Sequence, residues 1–270
     1  MRDAMMQRLA ELRYEPTEKR VRVVDGGEVV AESTAAVLVW EPRRVVPSYA
    51  VPVEHVRADL VPADPQPPSD AKVLHPGIRF SAHSTPGRSF DVRIGGRTRT
   101  QAAFQPDDPD LAGHVVLDFA AFEEWYEEDE RIVSHPRDPF HRVDVRASSP
   151  PVRIERDGVL LAESSRALLL FETGLPTRYY LPAEDIVAEM TRSDRRTTCA
   201  YKGEASYYTI GGHRDLAWTY EHPLPDAVQI AGRVAFWNEL VDISVDGGAS
   251  RRPVSVFSPA LLEEAGQQDG

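Results

Sequence analysis

The sequence has one cysteine, Cys199, and three lysines, Lys19, Lys72 and Lys202. A single cysteine excludes an intrachain disulfide, and with it the stapled frameworks of small secreted domains. Long apolar runs are missing too: none approaches the roughly 18 residues of a membrane-spanning helix, and residues 1–20 are too charged for a secretory signal. We therefore expect a cytoplasmic protein with no membrane contact. Positive net charge is also absent. A formal charge of −12 argues against a nucleic-acid platform, because phosphate binding depends on clustered cations. The arginines dense at 88–99 and 192–196 read as a solvated edge strand and a loop. No standard catalytic motif appears, and nothing implies a cofactor or a metal.

What is present is globular. Apolar residues make up 41% and charged residues 27% of 270 positions, which suits two ordinary domains. Three of the 31 basic residues are lysines, so 28 are arginines. In a chain so biased, Lys202 within TTCAYKG suggests a compact, titratable amine where a planar fork would not serve.

An internal repeat organises the chain. Residues 21–41 (VRVVDGGEVVAESTAAVLVWE) match 152–172 (VRIERDGVLLAESSRALLLFE) without gaps. Each copy reads as strand, Gly turn, strand and a third apolar strand ending in aromatic-Glu. SYAVPVEHV (48–56) then corresponds to YYLPAEDI (179–186), each with a segment after its proline suited to a helical turn. HSTPGRSFDVRIGG (83–96) matches CAYKGEASYYTIGG (199–212), and 109–119 loosely matches 225–236. The first copy carries an extra Pro-rich loop at 61–72. Short strands punctuated by Gly and Pro predict an all-β fold, a small antiparallel barrel or a two-sheet domain, built twice. Two helices are expected beside it. One is a short amphipathic helix at 3–14 carrying Met5, Met6, Leu9 and Leu12. The other lies near 119–129, where Phe119, Phe122, Trp125 and Tyr126 recur at helical spacing. The domains fall at 1–145 and 146–250, with a fraying tail at 251–270.

The pieces LLAESSRALLLFETGLPTRYYLPAEDI, TTCAYKGEASYYTI, LAWTY and AFWNELVDISVDG, together with HPRDPFHRVDV, resemble a bacterial family known as domain of unknown function 427, in its tandem form. The resemblance implies two β-tent-like domains, each of two antiparallel sheets meeting at an angle. Relatives by fold include methionine sulfoxide reductases and the ligand-binding domain of cereblon, some of which pin their sheets with a four-cysteine zinc site. With one cysteine this chain cannot build that site. A nucleotidyltransferase activity is sometimes attached to the family. The sequence shows neither an acidic metal-binding pair nor a Gly-rich phosphate loop to support it. The fold carries over and the activity does not.

The candidate chemistry gathers in the second copy. Cys199 reads as a nucleophile assisted by Lys202 or as a small core residue; the two meet only if a turn intervenes, which Gly203 would permit. Arg178 reads as a fork for a carboxylate or phosphate, or as the partner of Glu172 in an ion pair. Tyr179, Tyr180, Tyr201 and Trp218 read as pocket wall or as core. His135, His141 and Asp138 match no metal motif and read as a rigid linker. At the equivalent positions the first copy keeps Glu41, Tyr49 and His83, a second, modified site. The expectation is a small polar or anionic ligand bound in the second domain by Glu172, Arg178, Tyr179, Tyr180, Cys199, Tyr201, Lys202 and Trp218. The alternatives are a transferase-like enzyme with Cys199 or Lys202 as nucleophile, and a protein-interaction module.

Overall fold

The computed structural model describes residues 8–64, 66–67, 69–255, 257–258 and 261. The chain divides into two compact units, Met1–Asp138 and Pro139–Gly270. No helix among the described residues is long and apolar enough to cross a membrane.

The first unit contains β1 (Arg13–Pro16), β2 (Val21–Asp25), β3 (Glu28–Ser33), β4 (Val37–Trp40), β5 (Ser48–Pro52), β6 (Asp59–Pro62), β7 (Gly87–Ile94), β8 (Arg97–Pro106), β9 (His114–Leu117), β10 (Glu124–Glu127) and β11 (Glu130–Ile132). The second contains β12 (Val143–Ala147), β13 (Val152–Arg156), β14 (Val159–Ser164), β15 (Leu168–Glu172), β16 (Arg178–Leu181), β17 (Met190–Cys199), β18 (Gly203–Ile210), β19 (His213–Thr219), β20 (Val234–Phe236), β21 (Asp242–Val245) and β22 (Gly248–Ser250). Each unit is a seven-stranded and a four-stranded sheet. Their orders are β1-β4-β5-β9-β8-β7-β6 with β11-β10-β2-β3, and β12-β15-β16-β20-β19-β18-β17 with β14-β13-β21-β22. All pairings within these sheets are antiparallel, neither sheet closes on itself, and the two-sheet form of the all-β expectation holds twice.

The hairpins follow from local sequence. Asp25 pairs Glu28 across Gly26-Gly27, and Arg156 pairs Val159 across Asp157-Gly158. The turn residues sit at φ 56° and 79° in one copy and 52° and 77° in the other. Two consecutive left-handed residues make the type I′ turn whose twist matches the strands, and glycine or aspartate tolerates it. The segments after Pro52 and Pro182 form single 3₁₀ turns, Val53–His55 and Ala183–Asp185. Alternation buries Val21 and Val23 in one copy and Val152 and Ile154 in the other, each within its unit's core.

Four expectations are corrected. The N-terminal helix at 3–14 lies in part outside the described residues. Its described part is a 3₁₀ turn, Arg8–Ala10, followed by β1, which pairs with β4. The helix near 119–129 is instead a 3₁₀ turn, Phe119–Ala121, leading into β10. Asp118 caps that turn by accepting from the Ala120 N–H, and Trp125 pairs opposite Val23 on β2. The aromatic spacing arises because Phe119, Phe122 and Trp125 converge on one core from a turn, a loop and a strand. Arginines 88–99 lie on β7 and β8, one and two strands in from the edge strand β6. There Arg97 and Arg99 clamp Asp25, whose side chain is fully buried, at 2.6–3.3 Å. Arginines 192–196 lie on β17, which is the edge strand and not a loop. Finally, the described part of the tail is tied down. Arg252 makes two bonds to Asp242 (2.8 and 2.9 Å), and Leu261 is buried in a core cluster. Residues 262–270 lie outside the described residues.

Trp125 is 1% exposed and packs against Tyr49, Phe119 and Phe122. Trp125→Ala is expected to destabilise the first unit by about 3–5 kcal/mol, read by circular dichroism in a denaturant titration. A cost below about 1 kcal/mol would show that these rings repack without it.

Candidate functional site

Glu172 ends β15 inside the second unit, and its surroundings decide where the predicted residues go. The Lys202 amine donates to both carboxylate oxygens at 2.6 Å, and the His141 Nε2 lies 3.0 Å from Oε1. Lys202 and Glu172 side chains are 8% and 6% exposed. The His141 ring stacks on Tyr201 at 4.2 Å between centroids. Burial pushes the Glu172 carboxyl up. Hydrogen bonds from His141 and Lys202 and their charges more than reverse this, leaving it at about 2.

The first unit repeats the buried carboxylate with other partners. Glu41 meets the His83 Nδ1 at 3.0 Å, accepts from the Ser84 backbone N–H at 2.9 Å and has the Arg44 Nε at 3.6 Å. His83 is stacked on Phe104 with centroids 3.6 Å apart and meets the edge of Phe80. The glutamate is therefore a shared feature of the fold, whereas the group that neutralises it differs between copies.

Arg178 is not the partner of Glu172. Its two terminal nitrogens meet the two oxygens of Glu239 at 2.6 and 2.8 Å, and its guanidinium lies over the rings of Trp218 (5.5 Å) and Trp237 (5.2 Å). Ser255 adds a hydrogen bond to Glu239 at 2.6 Å. Burial raises the Glu239 carboxyl, but the bonds and charge of Arg178 outweigh it and hold the group below the usual carboxylate range. The expected Glu172–Arg178 pair fails because strand register sets the partners. Arg178 pairs opposite Leu170 on β15, two residues before Glu172, and Lys202 reaches Glu172 from the turn between β17 and β18. Glu239 was missed by sequence reasoning; within AFWNELVD it is one carboxylate among several, with no spacing to mark it.

Tyr180 is buried and accepts from the Trp218 indole N–H at 3.2 Å, and burial holds its hydroxyl far above the ordinary range. Cys199 is half-buried at the end of β17 and pairs opposite Gly203, whose φ is 89°. The turn needed to bring Cys199 toward Lys202 thus exists. The amine, however, donates to Glu172 and is shut off from solvent, whereas a nucleophilic lysine needs an accessible, unpaired amine. Among the described residues no three His, Cys, Asp or Glu side chains converge to hold a metal ion.

Tyr179 is the predicted residue that faces open space. It lines a cleft of about 240 Å³ together with Pro176, Thr177, Asn238, Val241, Ile243 and the 250–253 segment. Arg251 in that segment has no ion pair among the described residues, whereas Arg252 is matched by Asp242. The Asn238 amide nitrogen donates to the Thr177 carbonyl at 2.8 Å, while its buried Oδ1 has no partner among the described residues. Asn238 and Arg251 carried no signal in the sequence; the repeat directed attention to positions with counterparts.

Pairing shows what the first unit has there instead. Ile243 lies opposite Ile154, as Trp125 lies opposite the equivalent Val23. Asn238 stands three residues after Ala235, which pairs with Tyr180. Phe119 stands three after Val116, which pairs with Ala50 in the place of Tyr180. Phe119 and Trp125 stack at 5.1 Å, and Tyr49, the counterpart of Tyr179, is buried with its hydroxyl donating to Glu127 at 2.7 Å. Aromatic rings occupy the position that is a cleft in the second unit.

A duplicated all-β unit of a seven-stranded and a four-stranded antiparallel sheet, with a buried glutamate at the end of the same strand, defines the class. The chain belongs to the family described as domain of unknown function DUF427, whose model matches residues 13–71 and 144–247, one segment in each unit. A search of curated proteins finds no significant match.

The pH dependence follows from Glu172. Its carboxyl is lower in the folded state than in the unfolded chain. Its stabilisation, about 3 kcal/mol, is therefore present above the unfolded value and lost as pH falls from about 4.5 toward 2. Lys202→Met is expected to cost about 3–5 kcal/mol at pH 7, because it leaves a buried carboxylate without its main cation. Pairing it with Glu172→Leu should recover much of that loss in denaturant titrations. A double variant no more stable than the single would show that the pair acts through packing and not through charge.

Proposed function

We propose that the second unit binds a small anionic molecule in the cleft beside Tyr179, and that the first unit is a filled structural copy. The observation that carries this reading is a cleft lined by Arg251, which makes no ion pair among the described residues, together with the apolar Val241 and Ile243 and the Tyr179 ring. Apolar lining with a few polar groups is how small-molecule sites combine affinity with orientation. A volume near 240 Å³ lies below the roughly 300–1,000 Å³ of drug-sized sites, which favours a metabolite of modest size. Arg178 and Lys202 do not meet the ligand in this reading: their charges are matched by Glu239 and Glu172, and Arg178 ties the strand that carries Tyr179 to the segment that carries Asn238. Tyr180 and Trp218 belong to one core cluster, Tyr201 stacks on His141, and neither these nor Cys199 lines the cleft.

The test is a thermal-shift and calorimetric screen of small carboxylates and phosphates at low ionic strength. At least one class is expected to bind, with Arg251→Ala weakening it at least tenfold and leaving the melting temperature of the free protein unchanged. Arg178→Ala should instead lower that temperature, because it strands Glu239 in the interior. If Arg251→Ala leaves every detected affinity unaltered, the cleft is not the binding site.

A further inference from the structure

The first unit shows which chemical groups complete the surroundings of Tyr179, because strand register fixes the counterpart of each residue. Tyr49 pairs opposite Leu38 as Tyr179 pairs opposite Leu169. On the four-stranded sheets, Trp125 and Glu127 pair opposite Val23 and Val21, whereas Ile243 and Val245 pair opposite the equivalent Ile154 and Val152. Phe122 stands three residues after Phe119, as Val241 stands three after Asn238. Three rings of the first unit, Phe119, Phe122 and Trp125, therefore stand where the cleft is lined by Asn238, Val241 and Ile243. Trp125 also stacks on Tyr49, with centroids 6.2 Å apart. What the second unit lacks beside Tyr179 is aromatic volume. An apolar lining without partner atoms forfeits dispersion contact, and a flat ring restores it with the least polar surface to desolvate.

A carboxylate is missing from the same surroundings. The Tyr49 hydroxyl donates to Glu127 at 2.7 Å, and Lys19 pairs with the other oxygen of that carboxylate. In the second unit Val245 stands in the place of Glu127 and offers no acceptor. The Tyr179 hydroxyl accordingly has no hydrogen-bond partner among the described residues. It is also not one of their buried unpartnered atoms, so it is open to solvent and to a solute. Such a hydroxyl donates about twice as strongly to an ionised carboxylate as to a neutral acceptor.

We infer that the ligand of the cleft is an aromatic carboxylate. Its ring takes the place that Trp125 and Phe119 fill in the first unit, and its carboxylate takes the place of Glu127, accepting from the Tyr179 hydroxyl. The first unit carries within its own chain the groups that the second takes from solution. This rests on the binding reading given above and narrows its anion to a carboxylate joined to a ring.

Three probes separate these elements: 3-phenylpropanoate (ring and carboxylate), 3-phenylpropanamide (ring and neutral amide) and hexanoate (carboxylate without ring). Calorimetry on the full chain at low ionic strength is expected to rank 3-phenylpropanoate about tenfold tighter than the amide. Against hexanoate the advantage is expected to be about threefold to tenfold. Tyr179→Phe should weaken 3-phenylpropanoate about fivefold to tenfold without lowering the melting temperature of the free protein, since the hydroxyl it removes has no partner. Val245→Glu, which restores the carboxylate of the first unit, should abolish 3-phenylpropanoate binding by supplying the acceptor from within. Hexanoate binding as tightly as 3-phenylpropanoate would overturn the ring, and the amide doing so would overturn the carboxylate. Unchanged affinity in Tyr179→Phe, or in a folded Val245→Glu, would overturn the contact with the tyrosine. In each of these cases a loss of binding in Arg251→Ala leaves the anion site standing. If none of the three probes binds while another anion in the wider screen does so through Arg251, the aromatic carboxylate is excluded and the site remains. If none binds and Arg251→Ala is silent toward every anion, both fall together. The wild-type ranking and Tyr179→Phe do not depend on whether Val245→Glu folds.

Discussion

A carboxylate enclosed in each unit is the constraint around which the neighbouring loops arrange themselves. Taken alone, Glu41 or Glu172 would be strongly disfavoured in the interior, so each must be met by cations and N–H donors at close range. The two copies satisfy this demand by different routes. In the second unit the hairpin after β17 delivers Lys202 and the segment before β12 delivers His141. In the first, Arg44 comes from the chain just after β4, and His83 and the Ser84 backbone come from the segment just before β7. Such pairs add little net stability over an apolar replacement. They are, however, demanding about geometry, and that selects one loop conformation from many.

Arg178 and Glu239 apply the same rule one strand further on. The guanidinium of this bidentate pair lies over two tryptophans, and its carboxylate receives Ser255 from the C-terminal segment, so the tail is drawn against the body of the unit. Phe257 lies 5.8 Å from Trp237 and reinforces this. The cleft is lined by Tyr179 and Asn238, the chain neighbours of Arg178 and Glu239, and includes the 250–253 segment just before Ser255. In the first unit the same volume is taken by Phe119 and Trp125. The duplicated scaffold has thus diverged by filling in one copy and leaving a space in the other, while the sheets stayed the same.

This division separates two kinds of charged residue. Those that look most reactive in the sequence, Arg178, Lys202 and Glu172, are neutralised against one another or against Glu239, and they set shape. Among the described residues the exposed Arg251 makes no ion pair, and one oxygen of the buried Asn238, like nine other buried side-chain atoms, has no hydrogen-bond partner. A functional reading built on reactivity would look to the first set. A reading built on what remains unpaired looks to the second, and unpaired groups are the ones a ligand can still engage.

The repeat, the hairpins and the all-β class were legible because each is local. Gly and Asp at the turns, period-two burial in Val21-Arg22-Val23 and Val152-Arg153-Ile154, and the ungapped match between copies depend only on near neighbours in the chain. The 3–4 spacing of Phe119, Phe122, Trp125 and Tyr126 is also local, and it misled. Capping of a short turn by Asp118 and pairing of Trp125 with β2 outweigh helical periodicity, and neither is visible without the partner strand. That Glu172, Lys202 and Tyr179 stand out in the second copy was readable from the sequence. Their pairing was not, because which cation reaches which buried carboxylate is set by strand register, 30 residues away for Lys202 and 61 for Glu239 with Arg178. The cleft itself was decided entirely by tertiary structure. An empty volume is a property of what several distant segments fail to fill, and no single residue in the sequence records it.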